Sequence, residues 1–90
     1  MDLMITAHIK SSYEEWKALF DADSGPRGAI CDEGRTMVGK VDEGTAIIAL
    51  FDVDMAALGQ RMNDPEFQKM AEPYVYRHDV YTLEPMAPPG

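Results

Sequence analysis

Ninety residues and 10.0 kDa amount to one small domain, since domains usually run to ~100–200 residues. Hydrophobic residues at 46% and charged residues at 27% give a globular balance that excludes disorder, collagen-like repeats and coiled coil. Eight Lys+Arg against sixteen Asp+Glu leave a net charge of −8, which opposes nucleic acid and anionic membranes as partners. No apolar run nears the ~18–20 residues of a membrane span. Asp2 puts an acid where a signal peptide carries a base, and a single cysteine, Cys31, excludes an intrachain disulfide framework. Both predict a reducing, cytoplasmic setting.

Leu3, Ile5, Ala7 and Ile9 alternate with Met4, Thr6 and His8, the period of a strand. Ser11 with Glu14, or Ser12 with Glu15, offers a capping box. Tyr13, Trp16, Leu19 and Phe20 then share one helical face, and Ser24-Gly25-Pro26 ends that helix. Residues 22–34 carry no period, although Ala29-Ile30-Cys31 reads as a short extended piece. Residues 36–41 and 45–51 form two strands joined by the acidic turn Asp42-Glu43-Gly44. The second of these strands is apolar on both faces, which predicts a central or covered position. Asp54 caps a helix in which Met55, Leu58 and Met62 share a face. Asp64 caps again, with Pro65 in the first turn, so the helix is broken near Asn63-Asp64. Phe67, Met70 and Ala71 continue the apolar face up to Glu72-Pro73. A last strand runs from Val75 to Leu83.

The order β-α-β-β-α-β is the split-βαβ, ferredoxin-like α+β pattern over residues 1–84, followed by a Pro-rich tail at 85–90. Four antiparallel strands in the order 4-1-3-2 carry two helices on one face and leave the other bare. A chain this short buries only ~60–65% of its unfolded surface. A bare apolar face then predicts a homodimer whose two sheets face each other.

Tyr13-Glu14-Glu15-Trp16-Lys17-Ala18-Leu19-Phe20-Asp21, Leu50-Phe51-Asp52-Val53-Asp54 and Asn63-Asp64-Pro65-Glu66-Phe67 resemble the dimeric α/β-barrel superfamily, most closely its short bacterial members. The likeness spans roughly residues 3 to 85. It implies the fold and the dimer; for activity it leaves cofactor-free monooxygenases, polyketide cyclases, lactone isomerases, heme enzymes and members with no known reaction. One branch carries His-Pro-x-His where this chain has Asp64-Pro65-Glu66-Phe67. The general base of that branch corresponds to Phe67, which cannot accept a proton, so a cyclase of that mechanism is disfavoured.

His8 and His78 are the only histidines. Leu3 opposite Leu83 would set His8 beside His78 on one face, where two imidazoles near neutrality serve as acid and base. The plainer alternative is a polar pair at the dimer interface. Metal binding is not expected: two histidines, with Asp52 or Asp79 as a third candidate, fall short of an evident three-ligand set. Tyr76 and Phe51 are candidate walls of an apolar pocket, and Arg35 is a candidate carboxylate clamp. Trp16 belongs to the core, and Cys31 to a thiol without a role. The function expected is binding of a small apolar or aromatic molecule in the barrel interior, with chemistry, if any, of the cofactor-independent monooxygenase, isomerase or cyclase type. The alternative is a non-catalytic accessory module that uses the sheet face only to dimerise.

Overall fold

In the computed structural model, which describes residues 1–84, strand alternation decides which side of the sheet becomes the interior. β1 (Asp2–Ile9) buries Leu3, Ile5, Ala7 and Ile9 and leaves the residues between them half-exposed. It pairs antiparallel with β3 (Thr45–Leu50) and β4 (Val75–Leu83), and β2 (Met37–Asp42) pairs with β3. The sheet order is β2-β3-β1-β4, so the ferredoxin-like α+β topology expected from the sequence is present. The Pro-rich tail at 85–90 lies outside the described residues.

The helices cover the side that holds Leu3, Ile5, Ala46, Ile48 and Leu50. Each of the two expected helices is divided. α1 (Tyr13–Ala22) starts with a capping box between Ser12 and Glu15, the later of the two candidate pairs, and buries Trp16. Trp16 and Phe20 stack with ring centroids 5.3 Å apart. A short helix α2 (Ser24–Gly28) follows, where Ser24-Gly25-Pro26 reads as a stop. α3 (Met55–Met62) is capped by Asp54, and α4 (Pro65–Ala71) is capped by Asp64 with proline in its first turn. The break falls at Asn63-Asp64, where the second capping signal lies.

The segment without a period is organised by a buried charge. Arg27 donates from Nε and Nη2 to the two carboxylate oxygens of Glu33, both at 2.7 Å, and from Nη1 to the Phe20 carbonyl at 2.8 Å. Its guanidinium lies 3.7 Å from the centre of the Phe20 ring. Ala29-Ile30 is a turn rather than an extended piece, because α2 and the 3₁₀ turn Glu33–Arg35 are drawn together by this ion pair. Ile30 is still tied to the frame, its carbonyl accepting from the Asp54 N–H at 2.7 Å.

The other side of the sheet is bare. Met37, Ile47 and Tyr81 are exposed there. β3 is central, as its composition predicts, but only Ala46, Ile48 and Leu50 are buried while Ile47 stays on the open face. Gly39 makes room for it: a Cβ on Gly39 would come within 2.9 Å of Ile47 Cγ1. Two residues past the end of β3, Asp52 takes the left-handed φ of 53°, a conformation that aspartate tolerates better than most residues.

The register of β4 differs from the one expected. Leu3 pairs with Thr82, and Asp2 with Leu83, a slip of one residue that exchanges the faces of β4. Pairing Leu3 with Leu83 would have sent Arg77 and Asp79 under the helices. The observed pairing puts His78 and the exposed Val80 on that side instead and keeps both charges on the other, avoiding the cost of burying them. A bulge between His8 and Ile9 pairs Ile9 with Val75 and leaves Tyr76 as the extra residue, so Val75 still reaches the core.

Candidate functional site

A cavity of about 100 Å³ lies between the sheet and the helix layer. Its floor is Ile5, Ile48 and Leu50 from the sheet; its roof includes Trp16, Phe20, Leu58 and Met62. Four polar side chains reach its wall: Asp23, Arg27, Arg61 and His78. The barrel interior expected to hold a ligand would be on the opposite side of the sheet; the space this chain encloses by itself is here.

His78 stands at one end. Its ring stacks against Phe67 of α4, with centroids 6.5 Å apart and planes 29° from parallel. Burial pushes its pKa below the usual imidazole value; the nearby His8 pushes it further, and the Asp79 carboxylate opposes both. The ring is therefore neutral at pH 7, with one nitrogen free to accept a proton. The imidazole thus stands next to Phe67, on β4.

Arg61 of α3 meets Asp23 through Nη2 and Oδ1, and its guanidinium lies 4.9 Å from the Phe67 ring centre. Its Nε is sealed from solvent with no hydrogen-bond partner among the described residues. An orphaned buried donor costs ~1–3 kcal/mol.

Outside the cavity, a more open groove of about 450 Å³ runs between α4 and β4. His78, Phe67, Met62, Ala71 and Val75 line both spaces. The His78–Phe67 stack thus borders both the apolar chamber and the more open groove.

The remaining candidates fall elsewhere. The register slip places His8 on the open face of the sheet and His78 on the helix side, because His8 pairs with Arg77 and Ala7 with His78. The two imidazoles do not form a face-sharing acid–base pair. His8 Nε2 donates instead to Asp79 Oδ2 at 2.8 Å. That hydrogen bond, with Arg77 Nε 3.4 Å from the other carboxylate oxygen, holds Asp79 below the usual carboxylate range. Tyr76 borders the outer groove and is 72% exposed, with Lys10 Nζ 5.2 Å from its ring centre. Phe51 and Arg35 are together, guanidinium to ring centre 4.4 Å. They sit past Leu50, at the end of the sheet away from His8. Arg35 also pairs with Asp52 at 3.2 Å. These two residues are not part of the chamber. Among the described residues no group of three or more His, Cys, Asp or Glu could hold a metal ion, and no helix is long and apolar enough to cross a membrane.

Three of the four polar wall residues, Asp23, Arg27 and Arg61, are absent from the sequence candidates. Arg61 had a signal: it follows Leu58 by three positions, so a cation borders the apolar face of α3. Arg27 lies among glycines and proline and had none.

Fold and chamber together define an α+β protein of ferredoxin-like topology with an apolar pocket between its layers. No protein-family model and no curated protein matches the chain. Among solved structures it is similar to SnoaB, a cofactor-independent oxygenase from Streptomyces nogalater, with a TM-score of 0.61 and 12% identity over 98% of this chain and 96% of that one. It is also similar to PA3566 from Pseudomonas aeruginosa, with a TM-score of 0.62 and 18% identity over 96% and 93%. Likeness at these identities carries the fold alone.

Proposed function

We propose that the chain binds a small, largely apolar molecule in the chamber between sheet and helices, and that His78 is the group there that moves a proton. The observation that carries this reading is one half-buried imidazole, its pKa lowered by burial, on the wall of a largely apolar space. Such a base can take a proton from an enol, a phenol or a carbon acid and return it, without a metal or an organic cofactor. Isomerase, cyclase and cofactor-independent monooxygenase chemistry all begin with that step, and the SnoaB fold hosts an oxygenase that needs no cofactor. Entry is from the outer groove, by displacement of Phe67. Chamber and groove joined reach the ~300–1,000 Å³ usual for ligand sites.

A thermal-shift screen of small apolar and aromatic acids, phenols and ketones tests the reading. A ligand should raise the melting temperature saturably, as mass action requires. Ala71→Leu, which fills part of the shared wall, should abolish the shift. His78→Phe should keep binding and stop exchange of the ligand's acidic hydrogen with deuterated solvent. Absence of any saturable ligand, or exchange that survives His78→Phe, rejects the proposal.

The open sheet face supports a second element, a homodimer packed sheet to sheet. Met37, Ile47 and Tyr81 form an exposed apolar surface of the kind that usually meets a partner. Sedimentation equilibrium should give about twice 10.0 kDa at micromolar concentration, and a folded monomer would refute it. If the dimer forms and no ligand is found, the non-catalytic accessory module is the better account.

A further inference from the structure

We infer that the molecule bound at the chamber is an aromatic carboxylate, its charged end received in the outer groove by Lys69 and Arg77. The inference rests on the chamber being a binding site.

The chain has eight Lys+Arg and sixteen Asp+Glu, so carboxylates outnumber the cations that could pair with them. Lys17, Arg27, Arg35, Lys40 and Arg61 each meet a carboxylate oxygen at 3.2 Å or less. The other three cations do not. Arg77 Nε is 3.4 Å from Asp79 Oδ1, on a carboxylate that His8 already holds at 2.8 Å. Lys10 and Lys69 have no ion-pair partner among the described residues.

All three stand at one place. Lys69 and Arg77 line the groove between α4 and β4, and Lys10 Nζ is 5.2 Å from the ring centre of Tyr76, which lines it too. Glu72 is the carboxylate of that lining, so the two lining cations less one carboxylate leave one positive charge. The protein as a whole carries −8. Surface ion pairs add little stability. Their consequence here is that the positive charge left unpaired gathers in one concave site, where low-dielectric walls focus it.

Chamber and groove share His78, Phe67, Met62, Ala71 and Val75. A molecule whose ring lies against these residues can place its polar end beside Lys69 and Arg77. Arg77 offers a planar fork that fits a carboxylate, and Lys69 adds a point charge. A surplus of one charge suits a monoanion better than a phosphate, which carries about −1.5 to −2 at pH 7.

The test compares cinnamate with cinnamamide, of nearly equal shape, by calorimetric titration at low ionic strength. Repulsion from the net charge of the protein ranks the neutral amide first. The expected order is the reverse, with cinnamate ahead by about fivefold or more and the lead shrinking in roughly 0.5 M salt. Lys69→Gln with Arg77→Gln should bring the ratio to about one or below and leave amide affinity within about threefold. Lys17→Gln with Lys40→Gln removes the same two charges elsewhere and should leave the ratio within about twofold. Benzyl phosphate should bind more weakly than cinnamate. If a variant does not fold, the wild-type ranking and its salt dependence decide. The amide ranked first, a ratio indifferent to salt, a ratio the groove variant leaves unmoved, an equal loss in both double variants, or a tighter phosphate overturns the carboxylate assignment while the chamber stands. Failure of all three probes to bind overturns both.

Discussion

Replacing Glu33 by glutamine should damage this protein at least as much as replacing Arg27 by methionine, although Glu33 is the more exposed member of the pair. The Arg27 side chain is only 10% exposed and that of Glu33 is 29%. Arg27→Met removes two charge-assisted bonds to Glu33 and one to the Phe20 carbonyl. Each is worth ~1.5–3 kcal/mol in isolation. The Glu33 carboxylate can rehydrate once released, and methionine refills most of the stem volume, so the net loss is about 2–4 kcal/mol. Glu33→Gln instead strands a buried guanidinium without its counter-charge, which costs ~3–5 kcal/mol. Against a total stability of ~5–15 kcal/mol, either loss is severe. At ~4–8 °C per kcal/mol for a domain of this size, calorimetry should show melting points lowered by roughly 10–40 °C. The double variant should be less destabilised than the two single losses summed, with a coupling of at least ~1.5 kcal/mol. An acid limb follows from the same contact. The hydrogen bond from Arg27 is the largest cause holding Glu33 below the ordinary carboxylate value. Its contribution is fully present above the unfolded value of ~4.3 and is lost as pH falls through the folded one. Arg27→Met should flatten that limb. A Glu33→Gln melting point within ~4 °C of wild type would refute the reasoning and assign Arg27 to packing on Phe20 alone.

His78, with its pKa depressed in the fold by burial, contributes stability above the unfolded value of ~6.5 that is lost as pH falls through its folded value. Histidine NMR should place its midpoint below that of an unfolded peptide, and a midpoint above it would remove the burial argument. Ile47→Glu, on the open face, should halve the sedimenting mass while leaving far-UV circular dichroism unchanged, since a charge in a dry interface costs several kcal/mol; an unchanged dimer would clear that face of the role. Ser12→Ala removes the acceptor for the Glu15 N–H at 3.1 Å and should cost ~1 kcal/mol by denaturant titration.

The alternation of β1, the capping signals at Ser12, Asp54 and Asp64, and the hairpin at Asp42-Glu43-Gly44 are local, and each was legible in the sequence. Element order then led to the sheet order, because few topologies satisfy it. The face assignment of β4 was not legible. Val75-Tyr76-Arg77-His78-Asp79-Val80-Tyr81-Thr82-Leu83 carries apolar residues at both parities, and the bulge at Tyr76 shifts the count near one end. What separates the two registers is the cost of burying Arg77 and Asp79, a tertiary quantity. The same holds for Arg27, whose partner Glu33 is six residues away across a turn with no pattern of its own.

The pairing of β4 with β1 also bears on how such a chain can change over generations. From Arg77 to Leu83, each residue of β4 lies on the helix side or the open side of the sheet by whether it stands an odd or an even number of positions from the pairing point. Point substitutions alter what is presented on a face but never which face. A single inserted or deleted codon between Tyr76 and His78 would do the opposite, moving the imidazole from the enclosed side to the open side with its chemistry intact. The extra residue at Tyr76 shows that the pairing already absorbs an odd count at that end. Inheritance of a proton-handling group in this strand is therefore governed by reading length as much as by residue identity, and an alignment that slides a gap through 75–78 would misplace the group without any visible mismatch.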